Sequence, residues 1–74
     1  MPKLPVIKPK ELVRLLHKLG YIEVRQTGSH KHFKKSDSGN LVTVPFHSKD
    51  IKQTTLRSII KQINITIEEF IKLI

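Results

Sequence analysis

The sequence predicts a small α+β domain: a three-stranded antiparallel sheet with helices packed on one face, in the order α-β-β-β-α, followed by a short C-terminal helix. Three observations predict it. Leucine and isoleucine recur at i, i+3, i+4 and i+7 in two separate stretches, Leu12, Leu15, Leu16, Leu19 and Leu56, Ile59, Ile60, Ile63, the spacing of a helix with one apolar stripe. Between them the pattern changes to period two and is cut twice by turn residues, at Thr27-Gly28 and over 36–40. The connections between the three strands are short enough to be hairpins, so the simplest topology is a meander.

Residues 1–8 are rich in proline (Pro2, Pro5) and read as extended chain, and Pro9 suits the first turn of a helix. The first helix is expected over 9–19, with Lys10, Arg14 and Lys18 on a face away from the leucines, His17 at the boundary, and Gly20 as the stop. A strand follows over 21–26, where Ile22 and Val24 alternate with Glu23 and Arg25. Gly28 makes the turn, and a second strand runs over 29–35. Period two puts His30, His32 and Lys34 on one face of that strand and Lys31, Phe33 and Lys35 on the other. Phe33 is the one large apolar side chain, so its face is the buried one and the two histidines look outward.

Residues 36–40 (Ser-Asp-Ser-Gly-Asn) have the composition of a hairpin turn, and the third strand is expected over 41–45, with Val42 and Val44 inward. Residues 46–52 read as a polar connection carrying His47, Lys49 and Lys52. The second long helix is expected over 53–63, starting near Gln53 or Thr54 and leaving through Asn64. The last helix is expected over 67–74. Thr66 and Glu69 have the spacing of a capping box there, and Ile65 and Phe70 that of a hydrophobic staple.

Composition bounds the function. At 74 residues the chain reads as one domain, 1–74, whose site must be a surface groove rather than a deep cavity. It has no cysteine, which excludes disulfides, thiolate metal sites and a cysteine nucleophile, and favours the cytoplasm. No apolar run approaches the ~18–20 residues of a membrane span. Fourteen Lys and Arg against six Asp and Glu give a net charge of +8, a field that attracts polyanions.

The residues that carry chemistry centre on Gly28-Ser29-His30-Lys31-His32-Phe33. A turn delivers a histidine to a strand lined with cations. RNA brings its own nucleophile, the 2′-hydroxyl; its cleavage needs a base, an acid, and positive charge around the phosphorus. Imidazole, with an ordinary pKa of about 6.5, can serve as base or acid near neutral pH, and lysines and arginines stabilise the growing charge. His30 is the candidate catalytic group. His32 and His47 are candidates for a second proton carrier, although His32 can equally be an outward strand residue and His47 a partner of nearby backbone. Ser29, Lys31, Lys34, Lys35 and Arg25 are candidate RNA contacts, with a solubilising strand surface as the plainer alternative for the lysines. Gly28 is a structural turn residue. The six acids are scattered rather than clustered as in two-metal nucleases, so cleavage without a metal or other cofactor is the simpler expectation.

The order and spacing of short motifs add a resemblance. Leu19-Gly20-Tyr21, Gly28-Ser29-His30 with Phe33, Val44-Pro45-Phe46-His47, the run from Thr55 through Gln62, and Glu68-Glu69-Phe70 resemble the HicA toxins, the small partners of HicA–HicB toxin–antitoxin pairs. The resemblance covers nearly the whole chain. It implies a fold like the double-stranded RNA-binding domain and the activity of an mRNA interferase, a ribonuclease that stops translation by cutting messages. It also implies His30 as the active-site residue and a HicB antitoxin that covers the site. Where many members carry Gly before the Thr-Leu of the second long helix, this chain has Thr54. Three other readings remain open on the residues: a non-catalytic RNA-binding module, a zinc site on His30, His32 and His47, and, last, a DNA-binding regulator.

Overall fold

A computed structural model describes residues 3–35, 41–47 and 49–74. Six elements follow one another: α1 (Pro9–Lys18), β1 (Tyr21–Thr27), β2 (His30–Lys35), β3 (Leu41–Pro45), α2 (Gln53–Gln62) and α3 (Ile67–Leu73). The strands form one antiparallel sheet in the order β1-β2-β3. The α+β meander is therefore as the pattern predicts, and helix ends differ from expectation by a residue, as frayed last turns do. The expected turn over 36–40 lies outside the described residues.

Local chemistry accounts for the helix ends. Pro9 opens α1, where its missing N–H costs nothing, and the Glu11 carboxylate accepts the Lys8 N–H at 3.1 Å. Asn64 leaves α2 with a φ of +60°, a conformation Asn tolerates better than most residues. At α3 the capping box is complete: Glu69 N–H donates to the Thr66 hydroxyl and Thr66 N–H to the Glu69 carboxylate, each at 3.0 Å. Hydrogen bonding from the Thr66 backbone N–H first, and from the Thr66 side chain second, holds the Glu69 carboxyl below its usual range. Helix α2 starts at Gln53, one of the two expected starts. Its N-cap is Lys52, in extended conformation and without a side-chain cap bond. Thr54 is already the second helical residue, too far in to cap.

The core lies between the helices and one sheet face. Leu12, Leu16, Phe33, Val42, Val44, Leu56 and Phe70 are completely buried, each contributing about 1.5–3 kcal/mol relative to exposure. Ile65 and Ile67 are half-buried and pack against its margin. Two segments that the sequence pattern leaves as loops also reach this core. Leu4 and Ile7 in the N-terminal strand-like stretch are buried, and so is Ile51 in the connection expected to be polar. The Ile51 N–H donates to the Ile7 carbonyl at 3.0 Å, and the Gln53 side-chain amide to the Pro5 carbonyl at 3.4 Å. Isolated apolar residues show no period, so neither anchor is visible as a pattern. Among the described residues no helix is long and apolar enough to cross a membrane.

The face away from the helices carries Ile22, Arg25, His30, His32, Lys34, Leu41 and Thr43, as the cross-strand pairs Arg25–His32, His32–Thr43 and Ile22–Lys34–Leu41 require. A bulge between Glu23 and Arg25 puts Val24 out of register.

Candidate functional site: a histidine groove beside β3

The site starts at the β1–β2 turn. Thr27 and His30 are a cross-strand pair, leaving Gly28 and Ser29 as a two-residue loop. Gly28 has a φ of +59°, and glycine at the first loop position is what a type II′ hairpin turn calls for. The Gln26 side-chain amide donates to the Gly28 carbonyl at 3.0 Å and braces the loop. The Ser29 carbonyl accepts the Phe46 N–H at 2.6 Å, tying the turn to the chain that leaves β3. His30 lies opposite Pro45 on β3, so two adjacent contacts bring the end of β3 to the start of β2.

From Phe46 the chain passes through His47, Lys49 and Asp50 and is pinned by buried Ile51 before α2 begins. The result is an open groove of about 460 Å³ lined by His30, Thr43, Pro45, His47, Lys49, Asp50, Lys52 and Thr55. Lys49 and Lys52 supply its positive charge. Asp50 is paired with Lys8 at 3.5 Å, an exposed contact worth little in stability. The first turn of α2 holds no acidic residue and no side-chain cap, so the partial positive charge of its free N–H groups adds to the two lysines beside it.

The three strand-side histidines differ in what holds them. His47 Nδ1 accepts the Lys49 N–H at 3.2 Å, which places the proton of its neutral ring on Nε2. His32 Nδ1 is 2.9 Å from the Thr43 hydroxyl. Neither ring nitrogen of His30 is hydrogen-bonded among the described residues, and its side chain is exposed. His17, expected at the α1 boundary, is there: its Nδ1 bonds the Tyr21 carbonyl at 3.1 Å and its ring stands edge-on to Phe33, 5.9 Å between centroids.

The structure brings together Gly28, Ser29, His30 and His47. It separates the other candidates. Arg25 and Lys34 share the open face with His30, Arg25 beside His32 and Lys34 at the far end of β2. Lys31 and Lys35 are on the helix side of the sheet, as their odd spacing from His30 demands. Lys31 Nζ is 3.4 Å from Glu23 and 4.1 Å from the centre of the Phe46 ring, and Lys35 Nζ is 5.9 Å from that of Tyr21. The cations that do face His30, Lys49 and Lys52, belong to the connection rather than to the strand. No local sequence signal marks them as its neighbours; the burial of Ile51, a single apolar residue in the connection, is what places them there. Thr54 is exposed and borders a second shallow groove with Thr43 and Ser58. No three His, Asp or Glu side chains among the described residues converge as a metal site needs, so His30, His32 and His47 do not form the triad that the zinc reading requires.

Fold and groove thus define a small basic α+β domain in which a histidine without a hydrogen-bond partner among the described residues lines an open groove with two lysines. The model of the HicA toxin family of bacterial toxin–antitoxin systems matches residues 9–65, from the first residue of α1 to just past α2, and the chain belongs to that family. No curated protein matches the chain.

Proposed function

We propose that this HicA-family chain is a metal-independent mRNA endoribonuclease of the cytoplasm, with His30 as its main proton carrier. The observation that carries the reading is the shared groove: His30 and His47 line it together with Lys49 and Lys52. In the reaction, a base takes the proton of the 2′-hydroxyl, the 2′-oxygen bonds to phosphorus, the bond from phosphorus to the 5′-oxygen breaks, and that oxygen receives a proton. His30, which lines the groove and has no hydrogen-bond partner among the described residues, moves the proton. His47 has its Nδ1 held by Lys49 N–H, so its Nε2–H is left to hydrogen-bond a phosphate oxygen, and the proton that His30 takes from the 2′-hydroxyl is the one it returns to the leaving 5′-oxygen. His32 is the weaker second carrier, about 7 Å further along the strand by its two-residue spacing and tied to Thr43. Lys49, Lys52 and the α2 N-terminus stabilise the charge on the phosphate oxygens. Ser29, Arg25 and Lys34 extend the RNA path along the open face; Lys31 and Lys35, turned to the other side, do not border the groove.

The toxin–antitoxin context of the family supports an antitoxin partner of HicB type. The open face offers what an acidic partner needs: Ile22 and Leu41, 58% and 44% exposed, beside Arg25 and Lys34. Such a partner inactivates the toxin by occupying the groove. A complex with its antitoxin that still cleaves RNA at the free rate contradicts this.

The test of the activity is RNA cleavage by wild type and His30→Ala in EDTA, with folding and RNA binding measured on both. Cleavage by wild type alone, with equal binding, is the expected result. Equal binding with no cleavage by either replaces the reading with the RNA-binding module. Cleavage lost in EDTA and restored by zinc replaces it with a histidine metal site.

A further inference from the structure

Lys31 sits next to His30 in the chain and yet serves a different part of the molecule. Its side chain lies on the helix side of β2, opposite the groove, and is only 23% exposed. Its ammonium is satisfied twice, by the Glu23 carboxylate at 3.4 Å and by the face of the Phe46 ring at 4.1 Å. Phe46 is also held through its backbone, whose N–H donates to the Ser29 carbonyl. Phe46 is therefore gripped at ring and main chain, and the residues that flank these two grips are the candidate catalytic pair: His30 follows Ser29, and His47 follows Phe46.

We propose that Lys31 is a positioning residue. Clamped between Glu23 and Phe46, it fixes the segment carrying His47 against the turn carrying His30, and so sets the spacing of the two imidazoles across the groove. The inference rests on the reading of that groove as the cleavage site. The physical basis is a cation over an aromatic face with a carboxylate behind it, a contact that strengthens as the ammonium leaves water. A lysine that instead held an RNA phosphate would need its ammonium free and on the His30 side.

The test compares wild type with Lys31→Met, Lys31→Arg and Phe46→Leu, each first shown to be folded by circular dichroism and thermal melting. One readout is single-turnover cleavage of an RNA oligonucleotide together with RNA affinity across a salt series. The other needs no activity: amide exchange at Phe46, and the His47 tautomer from ring-nitrogen NMR. The expected result for Lys31→Met is a cleavage rate lowered on the order of ten- to a hundredfold, the cost of a small misplacement of a reacting group, with RNA affinity and its salt slope unchanged. Its Phe46 amide exchanges faster, and its His47 no longer holds one tautomer. Phe46→Leu reproduces the loss, the double variant loses little more than either single one, and Lys31→Arg, which keeps the charge on the ring, restores the rate.

A Lys31→Met variant that binds RNA more weakly and lowers the salt slope by about one identifies a phosphate contact and overturns the proposal. Unchanged Phe46 exchange and His47 tautomer overturn it as well. If wild type itself cleaves no RNA, the NMR readout still decides: altered exchange and tautomer leave the clamp standing while the activity reading falls, and unaltered ones remove both. Should Lys31→Met fail to fold, Glu23→Gln, which frees the same ammonium from its exposed side, takes its place in every readout.

Discussion

At the scale of single residues, three side chains of one type are separated by their hydrogen bonds. His32 is committed to Thr43 and His47 to the Lys49 amide, while His30 faces an open groove among the described residues. Loss of the His30 imidazole is expected to lower single-turnover cleavage by roughly 10²–10⁴-fold, the usual range for a general acid–base group. The same logic fixes the cations. Lys49→Ala with Lys52→Ala is expected to weaken RNA binding and to flatten its salt dependence by about one to two in log–log slope, whereas Lys35→Ala, on the helix side, leaves the slope unchanged. His30 was legible in the sequence because a glycine turn and strand parity both point it outward. Parity also separates Lys31 and Lys35 from it, but adjacency to His30 made them attractive as RNA contacts. Lys49 and Lys52 were not legible as its neighbours, since only the fold-back of the connection onto Ile51 brings them there. Gly28 is a further check on the turn. A Cβ there would meet nothing within 4 Å, so the φ of +59° is the only objection to a side chain. Gly28→Ala is expected to cost about 1–2 kcal/mol, and Gly28→Asn less, read from urea melts.

At the scale of elements, the helices and strands follow from short-range pattern, and what the pattern could not show is the segments without period. The two leucine and isoleucine stripes, the buried face of β2 named by Phe33, and the capping box of α3 are all local signals, and all are present. Leu4, Ile7 and Ile51 are single apolar residues in loops, and nothing local says that they are anchors. The α3 cap gives two expectations. Thr66→Ala is expected to cost about 1 kcal/mol. Because hydrogen bonding from Thr66 holds the folded Glu69 pKa below the ordinary carboxylate value of 4.5, the stability it contributes is fully present above that value. It is lost as pH falls through the lower folded pKa, where the carboxylate takes up a proton and weakens as an acceptor for the Thr66 N–H. In acid titrations Glu69→Ala is therefore expected to remove part of the acid sensitivity of wild type below about pH 4.5; identical titrations of the two proteins contradict the cap's role. Helix α3 is docked by Phe70, which is completely buried. Phe70→Ala is expected to cost about 3–5 kcal/mol, much of the roughly 4–11 kcal/mol a domain of this size possesses, so a near-unfolded variant in thermal melts is the expected outcome.

At the scale of the whole molecule, one sheet separates two jobs. Its inner face carries the core, and Lys31 and Lys35 settle there against aromatic rings. Its outer face and the β3 edge keep the imidazole, the groove cations and the exposed apolar residues open to a polyanion or an acidic protein. A net charge of +8 attracts polyanions to the whole surface, and the groove joins part of that charge, Lys49 and Lys52, to His30 and His47. The central claim is that His30 works there by metal-free attack of the RNA's own 2′-hydroxyl. The most direct measurement is mass spectrometry of the product ends after wild-type cleavage in EDTA. A 2′,3′-cyclic phosphate on one fragment and a 5′-hydroxyl on the other, both absent with His30→Ala, is the predicted result. Fragments with 3′-hydroxyl and 5′-phosphate ends, or the same cyclic products at the same rate from His30→Ala, would contradict it.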